Sequence, residues 1–284
     1  MSATTRATGT FGASTSGSVT TAGDAPAPRP SFAVVIPMYN EELAAERCVR
    51  LVCHSLRQLP HRSRLIAVND GSADRTGDLL AVLALTEPLL HVVTHEHNAG
   101  YGSALQTGAG AAHEQGFVYT LFMDADLTNA PEDIARFAEQ MNDGADVIKA
   151  TRYREGGGMR GVPWRRRCIS VVGARIACLL FRLPLSDCTN GFRAVKTRLR
   201  VGMTLTERGF PVIVEELYHC VFVARRFREI PVVLGNRAGD LRQTSFPYRP
   251  STFYRYLKYC VLACCRVPPA ALYQTRGSID AKEL

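Results

Sequence analysis

Between residues 32 and 150 the large apolar side chains fall into short blocks, and each block ends on a polar cluster. Phe32–Ile36, Arg64–Val68, Leu89–Thr94, Val118–Met123 and Asp146–Ala150 are five or six residues long and rich in β-branched or aromatic residues. Runs of that length and type predict five buried strands. Between them, apolar residues recur at helical spacing over Glu41–Leu59, over a stretch ending at Leu85, over Gly100–Gln115 and over Pro131–Met141. Asp74 or Thr76 stands where it would cap the second of these helices. Strands alternating with helices predict an α/β fold with a doubly wound, mostly parallel sheet. Right-handed crossovers then place helices on both faces and every strand's C-terminal end on one edge. No internal repeat is visible.

The pattern changes after residue 151. Arg152–Arg182 holds eight arginines and a single acid, Glu155. Gly156-Gly157-Gly158 interrupts it as a flexible loop, and Arg165–Phe181 reads as an amphipathic helix with Ile169, Val172, Ile176 and Leu180 on one side. Ser186–Arg193 is rich in turn formers, Val212–Phe227 reads as a helix, Ile230–Leu234 as a strand and Ser251–Arg266 as a last helix. Met1–Pro30 is Ser, Thr, Ala, Gly and Pro with almost nothing large and apolar, so residues 1–30 are expected to be a disordered leader rather than a signal peptide. Residues 31–266 are expected to form one domain, with a first half over about 31–150, a second half over about 151–266, and a tail over 267–284. No apolar run approaches the roughly 20 residues of a membrane span.

Composition adds two constraints. Hydrophobic residues make up 46% of the chain, enough for a substantial core. The net charge of +8 calls for anionic partners: phosphates, lipid head groups or nucleic acid. No nucleic-acid motif accompanies the arginines, so nucleic acid is not an expected partner. The nine cysteines lack zinc-ribbon or CxxC spacing, and Cys178, Cys220 and Cys260 lie inside apolar stretches. They read as buried reduced thiols of a cytoplasmic protein. Adjacent Cys264 and Cys265 suit either a cysteine-rich helix face or lipid attachment.

The candidate chemistry lies at the strand ends. Strand four runs into Asp124-Ala125-Asp126, two carboxylates one residue apart at a predicted C-terminal edge. In an open parallel sheet that edge is where ligands bind. Paired carboxylates repel, and a divalent cation relieves the repulsion while holding a substrate phosphate. Alone, the pair would read as solvated turn aspartates. However, the other strands end in Pro37-Met38-Tyr39-Asn40-Glu41, Asn69-Asp70-Gly71-Ser72, Asn98-Ala99-Gly100-Tyr101-Gly102 and Thr151-Arg152-Tyr153. Five clusters on one edge offer an aromatic ring, a carboxylate for a ribose or base, glycines for close backbone approach, metal ligands and an arginine. A nucleoside diphosphate requires that set. There is no GxxxxGK[ST] loop, and Leu105 stands where a dinucleotide fingerprint needs its third glycine. His91, His95 and His97 lack a further ligand of matching spacing and read as surface histidines at a strand end.

Read in order, VVIPMYNEE (34–42), VNDGSADRT (68–76), NAGYGSALQTG (98–108), MDADLTNAPEDI (123–134), TRY (151–153), SDCTNGFR (186–193) and EIPVV (229–233) resemble the family 2 glycosyltransferases of the GT-A fold. The likeness is greatest to dolichol-phosphate mannose synthases and their bacterial polyprenyl-phosphate relatives, and it covers about residues 32–266. It implies inverting transfer of a hexose from a nucleotide-diphosphate sugar, of GDP-mannose or UDP-glucose type, to a polyprenyl phosphate. It also implies Mg²⁺ or Mn²⁺ on Asp124 and Asp126, base contacts from Pro37, Tyr39, Glu41 and Asp70, and phosphate contacts from Arg152, Arg166 and Arg237. Asp187, Thr189, Gly191, Phe192 and Arg193 match the stretch bordering sugar and acceptor, and Glu215 matches a glutamate after a Gly-aromatic segment, here Gly209-Phe210. Two departures stand out. Thr128 occupies a position where relatives often carry Gln or Ser. The family's Arg-x-x-Gly-x-Ser-Lys segment is absent, Arg237 being followed by AGDLRQTSF, with Arg242 and Ser245 as shifted substitutes.

The acceptor decides the remaining chemistry. A lipid phosphate is already anionic near neutral pH and needs cations rather than a base. The arginine-rich segment and its amphipathic helix suit that acceptor and a peripheral position on the inner face of a membrane. A hydroxyl acceptor, on a small molecule or glycan handled by a soluble enzyme, would need a general base, for which Glu215, Glu216 and Asp187 are the candidates.

Overall fold

The computed structural model of the protein describes residues 1, 2, 29–161, 164–235 and 250–269. The expected leader over 1–30 and tail over 267–284 lie almost wholly outside the described residues, as do Arg237, Arg242 and Ser245.

Five strands and four helices alternate first. They are β1 (Phe32–Met38), α1 (Ala45–Arg57), β2 (Ser63–Asn69), α2 (Thr76–Thr86), β3 (Leu90–Thr94), α3 (Tyr101–Glu114), β4 (Tyr119–Phe122), a 3-10 turn (Pro131–Asp133) leading into α4 (Ile134–Asn142), and β5 (Val147–Thr151). The second half supplies β6 (Gly158–Met159), α5 (Trp164–Phe181), β7 (Arg193–Lys196), α6 (Thr197–Val201), α7 (Val212–Val223), β8 (Phe227–Pro231), β9 (Val233–Leu234) and α8 (Pro250–Cys264). The main sheet has seven strands in the order β3-β2-β1-β4-β7-β5-β8, and β6 pairs with β9 beside it.

The sheet is parallel except at β7, which runs antiparallel between β4 and β5. Sequence pattern passes over β7 because Arg-Ala-Val-Lys is short and carries two charges. β1 lies between β2 and β4 and is buried on both faces, which is why Phe32–Ile36 is continuously apolar rather than alternating. Pairing of β1 with β4 stops at Val35↔Phe122, so Pro37, which has no N–H to donate, lies past the end of that ladder.

One face of the sheet packs on α1, α2 and α4 through residues such as Val49, Leu80 and Phe137. The other packs on α3, α5, α7 and α8 through Leu105, Phe181, Val214 and Tyr259. Small residues let α3 sit close: a Cβ on Gly108 would come within 2.3 Å of Val35 Cγ1.

α5 corrects the expected burial. Ala174, Ala177, Cys178 and Phe181 form its inward stripe, while Val172 and Ile176, expected to share one apolar face, point outwards with Trp164 and Leu179. Leu180 is partly buried against the core. α8 packs against α5 and α7 and exposes Phe253, Tyr254 and Leu257. All nine cysteines are free thiols; six are buried, including Cys178, Cys220 and Cys260, whereas Cys168 and Cys265 are exposed. Among the described residues no helix is long and apolar enough to cross a membrane.

Candidate active site

The ends of β1 and β2 are zipped together by side chains of their loops. Asn40 adopts a left-handed φ of 54°, and its N–H donates to Ser72 Oγ at 3.0 Å. Ala73 N–H donates to Asn40 Oδ1 at 2.9 Å, and Glu41 N–H donates to Thr76 Oγ1 at 2.8 Å. Tyr39 stands exposed on this platform. Pro37 and Glu41, the other residues expected to meet a base, are half-buried beside it.

Asp70 is buried and already engaged. Its Oδ1 accepts from Ala99 N–H at 2.9 Å and meets His95 Nδ1 at 2.7 Å, and its Oδ2 accepts from Gly100 N–H at 2.9 Å. His95 Nε2 lies 2.9 Å from Thr107 Oγ1. His95 is therefore a strut between β2, the Gly100 loop and α3, not the surface histidine expected at a strand end. The glycines beside it also serve a different purpose from the one expected. A Cβ on Gly102 would lie 2.0 Å from the carbonyl oxygen of Glu207, and one on Gly100 would lie 2.7 Å from that of Arg208. Gly102 N–H donates to Arg208 O at 2.8 Å. The close backbone approach is to the protein's own 207–208 segment.

Asp124 and Asp126 sit just past β4, in a turn closed by Leu127 at a φ of 55°. Thr128 donates twice to Asp126 Oδ1, from its N–H at 3.0 Å and its hydroxyl at 2.8 Å. Tyr101 donates its hydroxyl to Asp124 Oδ1 at 3.0 Å. Burial and the adjoining Asp124 push the Tyr101 phenol well above its usual range, so it stays a donor. Among the described residues no group of three or more His, Cys, Asp or Glu converges as a complete metal cage. Two carboxylates in a half-open turn fit Mg²⁺ or Mn²⁺, which take one or two protein carboxylates and complete their oxygen shell with substrate phosphates and water.

Arg152, at the end of β5, is clamped by Asp187. Its Nε donates to Asp187 Oδ2 at 2.6 Å and its Nη2 to Oδ1 at 2.9 Å; Nη2 also reaches Thr189 Oγ1 at 2.8 Å. Asp187 is fully buried and further accepts from the N–H groups of Thr189 and Asn190 at 3.1 and 3.2 Å. Burial pushes the Asp187 carboxyl up, but the Arg152 cation and these bonds outweigh it and hold it below the usual value. Glu215, in the first turn of α7, is equally committed. It accepts from Thr206 N–H, Thr206 Oγ1, Glu207 N–H and the Tyr259 hydroxyl at 2.7 to 3.0 Å. Arg166 lies in the first turns of α5, and its side chain is outside the described residues.

Residues 33–200, from β1 to α6, match the sequence profile described as Glycosyl transferase family 2. The chain belongs to glycosyl transferase family 2. It is thus an enzyme that transfers a sugar. It is similar to the polyprenol monophosphomannose synthase of Mycolicibacterium smegmatis, 30% identical over 223 residues that cover 76% of this chain and 83% of that one. The undecaprenyl-phosphate mannosyltransferase of Micrococcus luteus is 29% identical over 72% of this chain and 83% of its own length. The dolichol-phosphate mannosyltransferase of Pyrococcus furiosus is 29% identical over 80% of this chain, which spans 61% of that protein. Among solved structures, glucosyl-3-phosphoglycerate synthase from Mycobacterium tuberculosis, in complex with Mn²⁺, UDP and glucosyl-3-phosphoglycerate, superposes with a TM-score of 0.57 at 18% identity. That match covers 85% of this chain and 82% of the other, and the shared architecture is the GT-A fold.

Within this family 2 enzyme the structure adds Arg200 and Lys149, which pattern reading did not single out, and gives Arg193 and Glu216 partners that it did not foresee. Arg193 and Arg200 are fully buried on either side of Glu216, with Nε–Oε distances of 2.5 and 2.7 Å. Burial alone would raise the Glu216 carboxyl, but the two guanidinium cations hold it below its usual range. Lys149, paired across the strands with Arg193, donates to Asn190 O at 2.9 Å, and burial and the Arg193 cation push its ammonium down to about 8. Glu216 and Arg193 lay inside noted segments, but only the crossing of β7 by α7 brings them together. Arg200 belongs to α6, which carries too few residues for a periodic signal.

Proposed function

We propose that this enzyme moves a hexose, with inversion, from a nucleotide-diphosphate sugar of GDP-mannose or UDP-glucose type to the phosphate of a polyprenyl lipid at a membrane surface. The observation that carries the reading is the state of the three candidate bases: Glu216 lies between the buried Arg193 and Arg200, and Asp187 and Glu215 are engaged as well. A hydroxyl acceptor needs a general base able to take its proton. Asp187 is held ionised below its usual range and saturated by Arg152, Thr189 and Asn190. Glu215 accepts from four donors of the protein itself. A lipid phosphate, with a second pKa of about 6, needs none of them.

In this reading an acceptor phosphate oxygen attacks the anomeric carbon, and the bond from that carbon to the diphosphate breaks. The nucleoside diphosphate leaves with the electron pair, and no proton has to move. Asp124 and Asp126 would hold a divalent cation, which when bound supplies positive charge beside the diphosphate. Tyr39, Pro37, Glu41 and the Asp70 loop would frame the base. Arg152, held in orientation by Asp187, would contact a donor phosphate, and the family resemblance implies Arg166 and Arg237 as further phosphate contacts. The names of the three relatives support a polyprenyl-phosphate acceptor. Seven apolar side chains on α5 and α8 (Trp164, Val172, Ile176, Leu179, Phe253, Tyr254 and Leu257) are each more than half exposed, with Arg167, Arg175 and Lys258 also exposed on these helices. An apolar surface fringed by cations suits peripheral contact with anionic lipid.

The test is to incubate the protein with GDP-mannose, UDP-glucose and related donors, Mg²⁺ or Mn²⁺, and either a polyprenyl phosphate or alcohol acceptors. A glycolipid that forms only with the lipid phosphate and stops in excess chelator is the expected result. Transfer to alcohols alone would overturn the acceptor, and full turnover in chelator would overturn the cation.

A further inference from the structure

We propose that Tyr101 is a positioning residue that aims Asp124 at the divalent cation. The inference rests on the reading of Asp124 and Asp126 as the cation's carboxylates. A carboxylate in a turn can take several rotamers, whereas an octahedral Mg²⁺ or Mn²⁺ shell demands oxygens at fixed places. Tyr101 removes that freedom. Its hydroxyl donates to Asp124 Oδ1 at 3.0 Å, from the end of a rigid ring that is itself held. The ring lies against Phe210, with centroids 4.8 Å apart and planes 32° apart. Its backbone is fixed on both sides, by Gly100 N–H on Asp70 Oδ2 at 2.9 Å and by Gly102 N–H on Arg208 O at 2.8 Å.

Gly191 closes the slot from the other direction. A Cβ there would stand 3.2 Å from Asp124 Oδ2 and 3.3 Å from the Tyr101 hydroxyl. The Gly191 carbonyl is itself pinned, accepting from Arg193 Nη1 at 2.8 Å, and Arg193 is locked on Glu216. Asp124 therefore sits between a hydroxyl that sets its angle and a glycine that leaves it just enough room. This gives Tyr101 of the NAGYG segment a role in the cation site and explains why residue 191 lacks a side chain.

The test is a titration of full-length wild type, Tyr101→Phe and Gly191→Ala with Mn²⁺, counting free Mn²⁺ by electron paramagnetic resonance, without donor and with GDP or UDP. Tyr101→Phe keeps the ring and loses only the hydroxyl. Its Mn²⁺ Kd should rise about tenfold, the effect of one hydrogen bond to a charged group. Its thermal midpoint should stay near that of wild type. The Mn²⁺ concentration for half-maximal transfer should rise by a similar factor, and kcat at saturating Mn²⁺ should recover to within about twofold. Gly191→Ala should shift Mn²⁺ binding in the same direction, and it carries the test if Tyr101→Phe fails to fold. Equal Mn²⁺ affinity in variant and wild type, or a loss of kcat that added Mn²⁺ does not restore, would overturn the positioning role and leave the cation reading standing. A wild type that binds no Mn²⁺ would overturn both.

Discussion

Replacing Asp187 with asparagine separates a structural carboxylate from a catalytic base. In the wild type the side chain is fully buried and accepts two charge-assisted bonds from Arg152, at 2.6 and 2.9 Å, besides bonds from Thr189 and Asn190. Asparagine keeps the shape but turns an amide N–H₂ towards donors and leaves the guanidinium without its counterion. Breaking a buried pair from one side costs about 3–5 kcal/mol. For a domain of this size that corresponds to a fall in thermal midpoint of roughly 10 °C. The pH dependence has a definite sign. The Asp187 carboxyl is held below its ordinary value of 3.8, so its contribution to stability is present above that value and fades as pH falls through the folded one. Melting curves of wild type and Asp187→Asn should therefore differ fully from neutral pH down to about 5, begin to approach one another below about 4, and converge only once the pH has passed the folded value. In transfer assays run well below the variant's melting point, the loss of rate should track a weaker donor KM, because Arg152 has lost its orientation. The pH profile should lose no titrating limb. A variant as stable as wild type, with intact donor binding and a rate that has lost its dependence on one basic group, would refute this reasoning and restore Asp187 as a general base.

Glu216→Gln should cost about 3–5 kcal/mol in urea unfolding, because it leaves Arg193 and Arg200 buried together with no charge between them. An unchanged midpoint would mean that Glu216 is not their counterion. Ile176→Glu with Leu179→Glu changes two side chains that are more than half exposed, so stability should move by no more than about 0.5 kcal/mol per site. Sedimentation with anionic vesicles should nonetheless fall by about tenfold or more, since each change replaces apolar contact with a charge in the interface. Vesicle binding that survives both charges would remove α5 from the proposed membrane contact.

The first half of the fold was legible because its central strand, β1, is buried and announces itself as an apolar run, and its neighbours are short blocks rich in β-branched and aromatic residues set between helical repeats. The strand-end clusters were legible for the same reason: once the strands are located, parallel topology brings their ends together. Reading failed where a distant contact decides the local structure. Val212–Phe227 looks helical throughout, yet α7 stops at Val223 and β8 begins at Phe227. Asp146, some eighty residues earlier, accepts from the N–H groups of Arg225 and Arg226 at 2.8 and 3.0 Å and draws the chain out of the helix. α5 failed differently. It carries two stripes at helical spacing, and the pattern of Ile169, Val172, Ile176 and Leu180 predicts the wrong one as its apolar face. The stripe Ala174, Ala177, Cys178 and Phe181 is the buried one, on the side where α5 meets α8 and the core.

The same distinction governs the site. Position at a strand end made Asp70 a candidate for a ribose or base, and the family resemblance made Asp187 and Glu215 candidates on the acceptor side. Each accepts from protein donors, and each ties together segments far apart in sequence: β2 to the Gly100 loop, β5 to the 187–190 turn, and α7 to the 206–207 segment. Glu207 carries the last tie further, accepting from Arg255 and Tyr259 of α8 at 3.0 and 3.1 Å while its own carbonyl seats Gly102. The helix that presents Phe253, Tyr254 and Leu257 outwards is thus joined through one acidic residue to the start of α3, and through Tyr101 to Asp124. On the proposed reading, in which the acceptor is a lipid phosphate at a membrane surface, this chain of contacts sets the height of the lipid above the donor. Carboxylates spent on bracing between these segments supply that rigidity, and a phosphate acceptor, which needs no base, leaves them free to do so.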